Sequence, residues 1–206
     1  MSWTEKLMQQ NVFIILFTLY KMVCKPENYA PGSGEVIEGA DPKTFRYLGS
    51  LYSKDKNDAY YYGWKIKNAD AKSFRHLYGC YVKDKNHAYC DNKIIKNADA
   101  RSFSCKKGQV YARDKNHVFW GNKIVKKVKP EEFKDLGGWY GKDKKYIYFG
   151  GKILEIADIK TFKIIRNSYT KRMTFTRDSY AKDKRFYYFD GKVLSGENLK
   201  RFLSKK

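Results

Sequence analysis

The sequence has little of what usually carries chemistry. It contains three histidines, His76, His87 and His117, and the last two fall at the same place in adjacent stretches. A repeated position belongs to a scaffold, whereas an active site needs one asymmetric cluster of unlike groups converging on a pocket. There is no phosphate-cradling glycine loop and no nucleophile elbow. None of the four cysteines stands in a Cys-x-x-Cys pair, so a zinc site lacks its usual spacing. No catalytic residue, cofactor site or metal site is expected, and the chain reads as a non-enzyme. Acidic residues are also scarce: 22 Asp plus Glu face 43 Lys plus Arg, a formal net charge of +21. Such a field attracts nucleic acid, anionic lipid or acidic protein surfaces.

What is abundant is repetition. Asp-Lys pairs begin at Asp55, Asp84, Asp114, Asp143 and Asp183, a period of the kind seen in repeat architectures. Three positions before each Asp stands a tyrosine: Tyr52, Tyr81, Tyr111, Tyr140 and Tyr180. Five after it comes an aromatic (Tyr60, Tyr89, Phe119, Tyr148, Tyr188), and further on always a phenylalanine (Phe74, Phe103, Phe133, Phe162, Phe202). The lysines recur too, as at Lys56, Lys85, Lys115, Lys144 and Lys184. A repeated solvated face explains them, since lysine keeps exposed strands soluble.

Each copy reads as a mainly β unit. A short strand such as Tyr81-Val82-Lys83 meets Asp84-Lys85-Asn86, where Asp and Asn side chains close a turn. The next apolar run ends on Asp91-Asn92, Gly121-Asn122, Gly150-Gly151 or Asp190-Gly191, dipeptides that permit tight primed turns. A third strand follows, then Ala-Asp-x-x-Ser/Thr-Phe, in which Asp can cap one helical turn and the Phe can pin it to the sheet. The expected fold is a tandem array of three-stranded antiparallel meanders, each followed by a short helical turn. One unit is too small to bury its own face and needs neighbours. A half unit over 34–50 precedes five units, and together they make a repeat domain over 31–206. An insertion near 166–177 supplies Lys171, Arg172, Phe175 and Arg177 as a candidate binding surface, the alternative being a neutral loop.

The Asp-Lys-Asn-x-x-Tyr core at Asp55-Lys56-Asn57-Asp58-Ala59-Tyr60 and Asp84-Lys85-Asn86-His87-Ala88-Tyr89, with Ala-Asp-x-x-Ser/Thr-Phe behind it, resembles the bacterial DKNYY family over most of the chain. The resemblance implies a bacterial, non-enzymatic repeat module, sometimes exported or associated with the envelope. It carries no catalytic residues over.

Residues 1–30 form a separate segment. Val12 to Val23 reads VFIILFTLYKMV, and an all-round apolar helix belongs in a core or a membrane. A signal peptide or a membrane anchor is expected, with the protein membrane-associated or exported and a cytoplasmic location left open. Cys24 follows Lys21-Met22-Val23, which lacks the small residues of a lipidation site. Cys80 and Cys90 flank the Asp84-Lys85-Asn86 turn almost symmetrically and could pair as a disulfide in an oxidising compartment. The alternative is three reduced buried thiols, with Cys105 as the third. The functional expectation is a protein–protein interaction role, immunity-like in one form, with an acidic protein as partner. The competing expectation is a cationic surface binding a polyanion, glycan or nucleic acid.

Overall fold

Tight turns set the architecture. A two-residue hairpin turn matched to the strand twist needs positive φ at its central residues. In the computed structural model, which describes residues 37–165 and 179–204, Asp91 and Asn92 lie at φ 49° and 61°, Gly150 and Gly151 at 56° and 78°, and Asp190 and Gly191 at 47° and 75°. Two-stranded hairpins grow from each.

The chain divides into two compact units, Met1–Ile66 and Lys67–Lys206. The first holds one antiparallel sheet in the order β1 (Arg46–Gly49), β2 (Tyr52–Lys54), β3 (Ala59–Tyr61), β4 (Trp64–Lys65). Its core gathers Ile37, Ala40, Phe45 and Tyr60. Among the described residues the second unit holds four sheets. These are β5 (Arg75–Tyr78), β6 (Tyr81–Lys83), β7 (Ala88–Cys90) and β8 (Lys93–Ile94); then β9 (Tyr111–Arg113), β10 (Val118–Trp120) and β11 (Lys123–Ile124). They are followed by β12 (Lys134–Gly137), β13 (Tyr140–Lys142), β14 (Ile147–Phe149) and β15 (Lys152–Ile153), and by β16 (Lys163–Ile164), β17 (Tyr180–Lys182), β18 (Tyr187–Phe189) and β19 (Lys192–Val193).

The expected meander thus gains a strand in four of the five sheets. The residues directly after the conserved-spacing phenylalanine, such as Arg75–Tyr78, lie antiparallel to the first meander strand, with Arg75 opposite Lys83 and His76 opposite Val82. In the exceptional sheet the chain makes only a bridge, Ser104 to Arg113, before turning away at Gly108, φ 82°. The Ala-Asp-x-x-Ser/Thr-Phe segments form hydrogen-bonded turns. Ser73 N–H donates to Asp70 Oδ1 at 2.9 Å, and Phe103 N–H to the Asp99 carbonyl at 2.9 Å.

Within the second unit the cores straddle successive modules, as modules too small to bury their own faces require. Tyr81, Ala88, Cys90 and Ile95 of one pack with Phe103, Ala112 and Phe119 around the next. Tyr111, Val118, Val125, Phe133 and Tyr148 repeat the arrangement one step on, and Tyr140, Ile147, Phe162, Ala181 and Tyr188 again. The chain closes on α1 (Gly196–Leu203), whose Phe202 stacks on Tyr180 at 4.7 Å. The last phenylalanine of the series therefore sits in a true helix.

One repeat position varies with the room available: Ser53, Val82, Ala112, Gly141, Ala181. A Cβ on Gly141 would come 2.2 Å from Phe133 Cζ, and that ring is held between Tyr111 and Tyr148 at 4.8 and 5.8 Å. Gly141→Ala should cost about 1–3 kcal/mol through overpacking. A denaturant melt of that variant matching the parent would show that the Phe133 ring swings away freely.

Among the described residues no helix is long and apolar enough to cross a membrane. Val12 to Val23 and the insertion with Lys171, Arg172, Phe175 and Arg177 lie outside the described residues.

Candidate functional site

The residues that repeat most strictly turn inward on each other. Asp84 is 2% exposed. Its Oδ1 accepts N–H bonds from Asn86 at 2.7 Å and His87 at 2.6 Å, while Oδ2 accepts the Tyr89 hydroxyl at 2.8 Å and Asp70 N–H at 2.8 Å. Asp55 and Asp183 repeat all four bonds, with Tyr60 and Asp41, and with Tyr188 and Asp158. Burial acts to raise the pKa of Asp55 and Asp183, yet the donors outweigh it and hold both carboxyls below the ordinary range. One carboxylate thus closes its own turn, anchors an aromatic and fixes the preceding turn. Asp114 lacks the hydroxyl, because Phe119 stands where the others have tyrosine.

The lysine after each Asp completes the bracket. Lys56, Lys85, Lys115 and Lys184 pair with Asp41, Asp70, Asp99 and Asp158 at 2.8–3.2 Å, and Lys144 with Glu132 at 3.2 Å, where Lys129 has displaced the capping Asp. Their side chains remain mostly exposed, so each pair orients more than it stabilises. The capping carboxyls nevertheless titrate low. Asp70 is pulled from 3.8 to about 2 by the Ser73 hydroxyl and then Lys85, Asp99 to about 2 by Lys115, and Asp158 to about 2 by the Thr161 hydroxyl. A depressed folded-state pKa contributes stability above the unfolded value that is lost as pH falls through the folded one. The melting temperature should therefore decline as pH drops from about 4 to about 2. Asparagine at Asp70, Asp99 and Asp158 together should flatten that decline, and an equally steep curve would rule these three groups out as its source.

Two further sets of side chains join modules. Three of the tyrosines that precede the turns reach the hairpin of the next module: Tyr111 donates to the Trp139 carbonyl at 2.8 Å and accepts Gly151 N–H at 3.2 Å. Tyr81 accepts Gly121 N–H at 2.8 Å, and Tyr140 accepts Gly191 N–H at 3.0 Å. Lys83, only 6% exposed, donates to the carbonyls of Ala100 at 2.6 Å, Arg101 at 3.1 Å and Phe103 at 2.9 Å. The sequence placed this lysine at the end of a strand and gave it no role of its own. Its place directly before the Asp-Lys pair, shared with Lys54, Arg113, Lys142 and Lys182, was the available signal.

Cys80 and Cys90 are joined as a disulfide, Cα–Cα 4.9 Å, between the turn that precedes β6 and the end of β7. They occupy the positions where Trp139 and Phe149 meet at 6.0 Å in a later module, so the bridge replaces an aromatic contact. As thiolates they would offer, with Asp91, three donor atoms within 4.8 Å of one another; as a disulfide they offer a metal no thiolate. Cys105 is a free thiol packed beside the same core, and burial pushes it up to about 12. A thiol that remains protonated is a poor nucleophile.

With the Asp-Lys network closed on itself, one recurring set of cations outside it opens each closing strand. Lys93, Lys123, Lys152 and Lys192 are all exposed, and none makes an ion pair among the described residues. In the first unit the same strand position holds Trp64, 74% exposed. Lys123, Lys126 and Lys152 edge a groove of about 540 Å³ floored by Trp120, Ile124 and Val125 and bounded by the turns Gly121-Asn122 and Gly150-Gly151. Trp120 explains the second turn: a Cβ on Gly151 would come 2.9 Å from Trp120 Cβ.

No curated protein and no solved structure matches the chain. The sequence profile of the DKNYY family matches residues 81–205, well over half of the chain. The matched stretch contains the residues just described, Asp84, Lys85, Asn86 and Tyr89 with their later counterparts, and the chain belongs to the DKNYY family.

Proposed function

We propose that the protein is a non-enzymatic interaction module of the bacterial envelope that binds an acidic protein partner through the cations its scaffold leaves free. The observation that carries this reading is a contrast between two recurring lysine positions. The one after each turn Asp is paired with an acid of the preceding turn, while the one opening each closing strand, Lys93, Lys123, Lys152 and Lys192, stands exposed with no ion pair among the described residues. Cations without internal counterions repel one another and speed encounter with a surface of opposite sign. The repeated carboxylates, the obvious acid–base candidates, are already spent on turns and tyrosines. This supports binding over catalysis, which needs unlike groups converging on substrate.

Attachment to the envelope rests on the apolar run Val12 to Val23, as a signal segment or an anchor. An immunity-like role is one form of the same reading, since such a protein needs only a complementary surface. Fractionation of the carboxyl-tagged full chain tests the envelope assignment, and a wholly soluble cytoplasmic pool overturns it. For the partner, the full chain and a variant with glutamate at Lys93, Lys123, Lys152 and Lys192 are compared in affinity capture at low salt. The partner should be lost from the variant and from the parent as salt rises. Equal capture by both proteins would remove these lysines from recognition, and displacement of the partner by nucleic acid or acidic polysaccharide would favour a polyanion as the true ligand.

A further inference from the structure

The turns beside the free lysines are not alike. In the module of Lys93 the hairpin turn is Asp91-Asn92, and in that of Lys192 it is Asp190-Gly191, so each carries a carboxylate of its own close to the lysine in sequence. The corresponding turns of the two modules between them are Gly121-Asn122 and Gly150-Gly151, neither of which contains an acid. Those are the two turns that bound the groove, and they bring Lys123 of one closing strand and Lys152 of the next to one opening, with Lys126 as a third cation. Among the described residues no carboxylate lines it. Three lysines therefore line one concave surface, and none makes an ion pair among the described residues, an arrangement that an incoming anion relieves. Space is available because Gly150-Gly151 projects no side chain over Trp120.

We infer that this groove is a seat for an acidic peptide segment in which carboxylates alternate with apolar side chains, the carboxylates meeting Lys123, Lys126 and Lys152 and the apolar groups resting on Trp120 and Ile124. The inference deepens the acidic-partner reading and rests on it. The mixed lining selects the class of ligand. A phosphate chain satisfies the rim and leaves the apolar floor in contact with charge, whereas an alternating peptide matches both, since successive side chains of an extended strand point to opposite sides and long acidic side chains can reach a rim. Apolar contact area supplies affinity, and the rim charges supply orientation and encounter rate.

The test uses the isotope-labelled full chain at low salt, with a short peptide alternating glutamate and leucine as probe and its glutamine counterpart as control. Inorganic triphosphate and oligothymidylate serve as further probes. The acidic peptide should shift the amide resonances of Gly121, Gly150 and Gly151 and the Trp120 indole. K123Q/K152Q should weaken it by about tenfold or more, while K93Q/K192Q, equal in charge removed, should change it by less than about threefold. All four lysines are exposed, and matching melts verify that both variants fold. Equal weakening by the two variants would reduce the effect to the general field and overturn the site. Tighter binding of triphosphate or oligothymidylate at the same resonances would overturn the peptide assignment in favour of phosphate chemistry. If the acidic peptide shifts resonances elsewhere and leaves the groove still, the groove fails and the acidic-partner reading stands. If no acidic probe shifts any resonance, the acidic-partner reading itself fails.

Discussion

Phe103→Ala should lower the free energy of unfolding by about 3–5 kcal/mol, the range for removing a large ring from a closed core. Phe103 is 2% exposed. Its ring lies 5.8 Å from Tyr81 and 5.4 Å from Phe119, so it fills the seam between one module and the next. Alanine would leave a cavity lined by rings that are themselves fixed, Tyr81 through its bond to Gly121 N–H. Because the same cluster holds residues of both modules, loosening it should weaken the two together. A urea melt shows the effect as a lower midpoint. A midpoint equal to that of the parent would mean that Phe103 carries no packing load.

Asp84→Ala should cost about 4 kcal/mol by a different route. The alanine removes an acceptor from four donors, Asn86 N–H, His87 N–H, the Tyr89 hydroxyl and Asp70 N–H, and buried donors without partners lose about 1–3 kcal/mol each, with partial relief from water. The repeat supplies an internal control. Asp114 accepts from Asn116, His117 and Asp99, all through backbone N–H, and has only Phe119 where a hydroxyl would be. Asp114→Ala should therefore be milder by about 1 kcal/mol. A double-mutant cycle sharpens the comparison: Tyr89→Phe should cost about 1 kcal/mol alone and close to nothing once Asp84 is gone. Additive effects would sever the Asp84–Tyr89 bond from the stability of the turn.

The parts of this fold that were legible in the sequence are those enforced locally. Asp91-Asn92 and Gly150-Gly151 announce hairpins because few dipeptides tolerate positive φ twice. The invariant steps from Tyr81 to Asp84 to Tyr89 to Phe103 mark the module because one carboxylate and one seam fix all of them. The fourth strand escaped notice because Arg75–Tyr78 alternates weakly and is recruited by pairing with β6 rather than by its own pattern. Lys83 escaped because its one local mark, a recurring cation directly before the Asp-Lys pair, does not tell a lysine that donates to carbonyls seventeen to twenty residues ahead from one in water. The groove depends on two turns 29 residues apart lacking acids at once, which matters only after the modules are seen side by side.

The bond from each tyrosine to the following hairpin also bears on how long such a protein can be. Tyr81, Tyr111 and Tyr140 each find a partner one copy downstream, and Tyr180 stacks on Phe202 of the terminal helix. The ring pair itself is the same at each step, Tyr81 with Phe103, Tyr111 with Phe133, Tyr140 with Phe162 and Tyr180 with Phe202, so the helix keeps the contact that a turn makes elsewhere. Gene duplication could add a module ahead of it, or recombination delete one, with the same junction chemistry preserved. Chain length in proteins built this way is then free to track the size of whatever they bind.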